Sequence, residues 1–196
     1  MEEPIVDGGV IRKLWIGEAP KYLEHLLRLD PESRHNRFGG AVADELIARY
    51  AATALRPGNL AHGFLVDGVL RGVAELRPLG TGLKREAEVA FSIEKPWQSH
   101  GVGSALLERT LLAARNRGIR HLHMACLVEN ARMQQLARKY AAELSFDLGS
   151  VVGEVEAPQA TPLSLLREMV ADGHGFATAV LDVQARMLRP SQAASG

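Results

Sequence analysis

The chain has 196 residues, with 23 basic and 23 acidic side chains, one cysteine and 46% hydrophobic content. That length favours one domain with a sizeable core, and the even charge argues against a nucleic-acid binder working by general phosphate attraction. Cys126 alone excludes an intrachain disulfide framework and a multi-cysteine zinc site. No apolar run approaches the roughly 20 residues of a membrane span, and the acidic start Met1-Glu2-Glu3-Pro4 is not followed by a signal-type stretch. A cytoplasmic protein is expected, with no nucleic acid or membrane as partner.

In chain order, Val10 to Ile16 reads as a strand and Ala19 to Leu29 as a helix with Tyr22, Leu23, Leu26 and Leu27 on its apolar face. Asp30-Pro31 interrupts it. A helix over Val42 to Leu55 stops before Arg56-Pro57-Gly58. Two apolar runs, Gly63–Val66 and Val69–Leu76, flank Asp67-Gly68, a strong hairpin signal. In the strand Glu88–Ile93, alternation puts Val89, Phe91 and Ile93 on one face and Glu88, Ala90 and Ser92 on the other. A helix from Ser104 to Arg117 closes at Gly118. His121–Val128 is a strand, Asn130–Leu144 a helix and Ser145–Glu156 a hairpin. A last helix, about 162–188, is weakened by Gly173 and Gly175. The order fits an α+β (mixed α/β) class and one domain over 1–196, with a core of about 10–157 and a helical extension over 162–188.

The chemistry concentrates between the strand ending at Ile93 and the helix after it, in Trp97-Gln98-Ser99-His100-Gly101-Val102-Gly103-Ser104. Two glycines one residue apart at the mouth of a helix let a ligand approach the backbone. They leave N–H groups converging at the positive end of a helix dipole, a site suited to pyrophosphate. No Gly-Lys-Ser/Thr follows, so this is not a Walker loop, and Leu106 stands where a dinucleotide fingerprint needs its third glycine. By spacing alone, an ordinary glycine-rich helix start explains the pattern equally well.

Gln98-x-x-Gly101-x-Gly103, preceded by Phe91-Ser92-Ile93 and followed by the strand to Val128 and Glu129-Asn130, resembles the acyl-CoA loop of the GNAT superfamily of N-acetyltransferases. The likeness runs over roughly Gly63 to Leu144. It implies a twisted, mostly antiparallel mixed sheet flanked by helices, here with an additional C-terminal helix, and acetyl-CoA as cosubstrate with no metal. It also implies that Gln98, Ser99, His100, Gly101, Val102, Gly103 and Ser104 hold the pyrophosphate, largely through backbone amides. Phe91 and Ile93 would pair with the pantetheine arm as an added strand, and the amide near Phe91 or Ser92 would polarise the thioester carbonyl. Asn130, with Met133 on the same helix, would contact the arm. Arg132, Arg138 and Lys139 read as ordinary charges of a solvated helix face.

The resemblance further implies a glutamate base, and Ala87-Glu88-Val89-Ala90-Phe91-Ser92 puts Glu88 in that place. Many members carry a tyrosine acid in an Asn-x-x-Ala-x-x-Leu-Tyr pattern; here the positions read Asn130, Met133, Leu136 and Ala137, so the tyrosine is replaced by alanine. Tyr140, a turn later, reads as a core residue. The family's Gly-Phe after this helix is missing unless Ser145-Phe146 takes its place after a small insertion. Ser33-Arg34-His35-Asn36-Arg37-Phe38 is similar to a segment of bacterial protein lysine acetyltransferases, where Arg34 and Arg37 are either helix surface charge or acceptor-side architecture. Cys126 reads as a buried thiol. His121 and His123 share a strand face without further ligands at metal spacing. The expectation is an acetyl-CoA-dependent N-acetyltransferase acting on a protein lysine or a small amine by direct transfer in a ternary complex. The rival is a weakly active or silent acetyl-CoA-binding module, and the helix carrying Leu165, Leu166, Met169 and Val170 suits self-association as a homodimer.

Overall fold

β-branched and apolar runs broken by turn residues set the strands, and the computed structural model describes residues 8–80, 86–140, 143–147 and 150–188. The strands are β1 (Val10–Lys13), β2 (Leu60–Val66), β3 (Val69–Leu79), β4 (Glu86–Ile93), β5 (His121–Leu127), β6 (Glu143–Asp147) and β7 (Ser150–Glu156). The helices are α1 (Ala19–Arg28), α2 (Pro31–Phe38), α3 (Asp44–Ala54), α4 (Val102–Asn116), α5 (Ala131–Lys139) and α6 (Pro162–Leu188). The strands form one mixed sheet in the order β1-β2-β3-β4-β5-β7-β6. Every neighbouring pair is antiparallel except β4 and β5. This is the expected α+β class.

Asp67 and Gly68 both take positive φ, 50° and 73°, the twist that a two-residue hairpin between β2 and β3 requires. β3 is buried on both faces. On one side Leu70 and Val73 meet Tyr22 and Leu26 of α1 and Ile47 and Ala51 of α3. On the other, Ala74 joins Phe64 and, from α4, Val102 and Leu106, while Leu76 meets Leu107, Val89 and Leu122. The feature that shapes the site is the β4–β5 pairing: it spans only Glu86–Glu88 against His121–His123, and beyond that rung the two strands part.

The structure corrects several boundaries. β1 stops at Lys13, because Trp15 to Glu18 turn into a short 3₁₀ segment whose Glu18 carboxylate is held by buried Arg12. Asp30-Pro31 not only ends α1 but starts α2: Asp30 accepts from the Ser33 amide at 3.2 Å, Pro31 sits in the first turn, and Gly39 ends the helix in the left-handed region. The helix expected over Asn130–Leu144 ends at Lys139. Its stripe satisfies a helix as far as Tyr140, but Glu143 and the residues after it pair with β7, so tertiary pairing overrides the local pattern. The hairpin therefore begins two residues earlier than read, and its connection at 148–149 lies outside the described residues, as do the chain ends 1–7 and 189–196 of the expected domain.

α6 runs over Pro162–Leu188 as expected, uninterrupted by Gly173 and Gly175. Gly175 is packed against β1, where a Cβ would come within 2.9 Å of Arg12 Cβ. The helix inverts the usual amphipathic arrangement. Ser164, Glu168 and Asp172 face inward to Asn116 and Arg109 of α4 and to Arg117 just beyond its end. Leu163, Leu166 and Met169 point outward, 54–68% exposed. Among the described residues, no helix is long and apolar enough to cross a membrane.

Candidate active site

The wedge between β4 and β5 opens into a cleft of about 360 Å³, bounded by β4, the loop before α4, α5 and the inner side of α2. Of the sequence-predicted cofactor residues, Phe91, Ser92, Ile93, Gln98, Ser99, Gly101, Gly103, Ser104, Asn130 and Met133 line it. His100 and Val102 do not. Val102 is fully buried with Phe64 and Leu106, so its side chain belongs to the core and only its backbone belongs to the loop.

Ser99 (φ 64°) and Gly101 (φ 85°) both take left-handed backbone, and Gly101 is the N-cap of α4. No side chain caps that end, so the first-turn amides, which an α-helix cannot pair internally, present their N–H groups at the loop. At Gly103 an added Cβ would lie 3.5 Å from Ile93 and 3.6 Å from Leu136, both of them cleft residues. Gln98 does not join the donor cluster. Its Nε2 donates to the Ile93 carbonyl at 2.8 Å and to Ser33 Oγ at 2.9 Å, bracing the loop against β4 and α2. Asn130 caps α5 by accepting from the Met133 amide at 3.1 Å, which leaves its NH₂ group turned to donation. Arg132 and Lys139, read as solvated charge, stand on the cleft wall, with Lys139 donating to Ser104 Oγ at 3.0 Å; Arg138 instead contacts Gln134. The wall is thus electropositive and rich in donors.

The opposite wall is made of buried ion pairs. Ser33, Asn36 and Arg37, at i, i+3 and i+4 of α2, line the cleft together. Arg37 is no surface charge: its guanidinium pairs with Glu75 of β3 at 2.5 Å, and Glu75 also accepts from Tyr22, from Tyr50 at 2.7 Å and from Arg77 at 2.6 Å. Burial works to raise the Glu75 pKa, but Arg37 and Arg77 more than offset it and hold the carboxyl below its ordinary value. Arg34 bonds Asp44 at 2.7 Å and the Leu27 carbonyl, and Phe38 packs on Tyr50. The Ser33–Phe38 segment therefore ties α2 to the sheet and to α3. These partners lie far apart in sequence, and the one legible signal was the i, i+3, i+4 spacing of polar residues on α2.

Glu88 lies outside the cleft lining. It is half-buried on the last β4–β5 rung, opposite Arg77 and His123. It shares a strand face with Ala90 and Ser92, and Ala90 pairs with Glu75 across β3. Tyr140, half-buried, packs against the core as read, while its hydroxyl donates to Glu108 at 2.7 Å and faces the Ser104 carbonyl, and burial with Glu108 pushes its pKa up to about 12. Cys126 is buried, and burial raises its thiol pKa. His121 pairs with Glu154 at 2.6 Å and His123 lies 3.5 Å from Glu86, two separate contacts. No cluster of three metal-ligating side chains occurs among the described residues.

A wedge between parallel strands, with an uncapped glycine-started helix at its mouth, can receive an extended ligand along β4 and an anionic group at α4. The model of the acetyltransferase (GNAT) family matches residues 21–141, well over half of the chain. The chain belongs to the GNAT family. Acetyltransferase Pat of Mycolicibacterium smegmatis is 28% identical over 85 residues, which make up 43% of this chain and 26% of that protein, so the match spans about a quarter of the relative's length. The GNAT domain of S. lividans PAT superposes with a TM-score of 0.67 at 23% identity, over 76% of this chain and 90% of that one. An N-acetyltransferase, PaiA, from Thermoplasma acidophilum, solved in complex with coenzyme A, gives 0.58 at 18% identity over 76% and 98%. The likeness to Pat and PAT agrees with the branch of GNAT proteins that the Ser33–Phe38 segment resembles.

Proposed function

We propose that this GNAT protein transfers an acetyl group from acetyl-CoA to a primary amine, a protein lysine or a small-molecule amine, by direct attack in a ternary complex. The observation that carries this reading is the convergence, in one cleft, of the uncapped start of α4 and the stretch of β4 beyond Glu88 that β5 does not pair. An extended pantetheine arm fits that free edge as an added strand, and a pyrophosphate fits the α4 amides, with Arg132 and Lys139 nearby. In this reading the backbone of Phe91 and Ile93 pairs with the arm, an amide at Phe91 or Ser92 polarises the thioester carbonyl, and the Asn130 amide holds the arm.

Glu88 is the base of this reading. A lysine-type acceptor arrives as an ammonium at neutral pH and attacks only after losing a proton, which Glu88 takes through water from its place at the rim of the wedge. Residues 1–196 are read as one catalytic domain acting in the cytoplasm, with α6 as an extension whose outward Leu163, Leu166 and Met169 meet a second copy. Sedimentation of the wild type against Leu166→Glu tests that contact.

Calorimetric titration with acetyl-CoA, then a thiol-release assay with lysine peptides and polyamines, tests the main reading. Micromolar binding and amine-dependent thiol release support it, with Glu88→Gln keeping binding and losing about a hundredfold or more in turnover. Absence of binding to CoA-free protein overturns it. The alternative of a silent acetyl-CoA-binding module draws on Ala137 in the tyrosine position and on Tyr140 being turned to Glu108. It predicts binding without turnover for any amine.

A further inference from the structure

Beneath the acceptor side of β4, Ser92 Oγ lies 3.0 Å from Nε2 of His25, and Nδ1 of the same ring lies 3.2 Å from Oε1 of Glu94. His25, on α1, is fully buried, and Ser92 and Glu94 are each 6% exposed. Glu94 is fixed by Arg28 at 2.9 Å and Arg71 at 2.8 Å. Burial works to raise the Glu94 pKa, but the bonds from His25, Arg71 and Arg28 outweigh it and keep the group ionised at neutral pH. An ionised carboxylate only accepts, so Nδ1 carries the ring hydrogen, Nε2 presents its lone pair, and the Ser92 hydroxyl donates to it. Hydroxyl, imidazole and carboxylate stand in the order and at the spacing by which a serine is activated. Ser92 is the member that lines the cleft.

Resting on the acetyltransferase reading above, the chemistry asks for such a group. Transfer from a thioester to an ammonium removes two protons from nitrogen and returns one to sulfur. Glu88 accounts for one removal, and the position of the family's tyrosine acid is alanine. Glu88 and Ser92 flank Ala90 on one strand face, each two residues away, about 7 Å along the strand.

We propose that Ser92, acting through His25 and Glu94, is the second proton station of the transfer. As the C–N bond forms, the Ser92 oxygen takes the proton from the nitrogen while its own hydrogen passes to Nε2. As the C–S bond breaks, the Ser92 oxygen passes the hydrogen it took from nitrogen on to the sulfur, which leaves as a thiol, and Nε2 returns its hydrogen to the oxygen. The array ends as it began, and the proton taken through Glu88 is the one released to solvent. Burial lowers the His25 pKa in spite of its bond to Glu94, so the ring rests neutral and able to accept. The groups facing it are Glu94, Arg28 and Arg71 around its Nδ1 side, and Tyr22, stacked at 6.3 Å.

The test uses the full chain with Ser92→Ala and Ser92→Thr. Ser92→Ala keeps the wild-type affinity for acetyl-CoA and loses about a hundredfold in kcat with little change in the acceptor KM, and Ser92→Thr, which keeps the hydroxyl, recovers most of it. Without any substrate, nitrogen NMR of labelled histidines finds His25 as the Nδ1–H tautomer, with its Nε2 resonance displaced in Ser92→Ala. Wild-type kcat in Ser92→Ala overturns the relay and leaves the acetyltransferase reading standing. Equal kcat losses in both variants with lowered melting temperatures reduce the array to a tie between α1 and β4. Failure of the wild type to bind acetyl-CoA removes the reading beneath it.

Discussion

The two walls of the cleft are made of different material. At the mouth of α4 the lining is backbone and small side chains: Ser99 and Gly101 in left-handed conformations, Gly103, and amides that no side chain caps. Along α2 and β4 the lining is backed by a lattice of buried charge, with Glu75 shared by two arginines and two tyrosines and Glu94 by two arginines and a histidine. A backbone site keeps its shape as long as its local turn forms. A side-chain lattice holds only when every partner is present, because an unpaired buried charge is more costly than no charge at all.

That contrast can be broken or sharpened by experiment. Glu75→Leu leaves Arg37 and Arg77 without their carboxylate, and urea unfolding should show a loss of about 3–5 kcal/mol, while the variant that still folds binds acetyl-CoA much as before; a stability change below about 1 kcal/mol would dissolve the distinction. Gly101→Ile acts the other way. It adds about 1–3 kcal/mol of left-handed strain at the α4 cap, and acetyl-CoA affinity by calorimetry should fall about a hundredfold with the far-UV spectrum retained. Asn130→Ala removes the α5 cap, at about 1 kcal/mol of stability, and weakens acetyl-CoA binding as well.

The smallest effect is on pH. Burial lowers the pKa of His25 and of His62, so below about 6.5 the unfolded chain binds protons that the folded chain refuses, and stability falls. Between pH 7 and pH 5 the melting temperature should drop by roughly 2–4 °C per kcal/mol lost. Below about pH 4.5 the carboxylates of Glu75 and Glu94, held low in the fold, add to the loss. Glu18, held at about 2 beside Arg12, adds its own loss over the same acid range.

What was legible in the sequence follows the same divide. Gly101, Gly103 and the Phe91–Ile93 end of the strand before them lie close together in the chain, and their spacing, taken with the residues that flank it, marks a ligand loop there. The Asp67-Gly68 hairpin and α6 were legible for the same reason. His25 and Glu94 are 69 positions apart, and Arg37 and Glu75 are 38 apart. Nothing local marks such pairs except a polar residue on an apolar stripe, which is how His25 sits between Tyr22 and Leu26. The early end of α5 was hidden because its stripe stays helical through Tyr140, and only pairing with β7 decides otherwise.

The β4–β5 junction has a mechanical consequence. Within the sheet, only the Glu86–Glu88 rungs join the β1–β4 half to the β5–β7 half, so opening at that seam is resisted mainly by the core that Leu76, Val89, Leu107 and Leu122 pack across it. A ligand that hydrogen-bonds along β4 and also touches α5 works as a clasp across the seam. Its binding should slow amide exchange in β5 and β7, strands it never touches, along with exchange in β4.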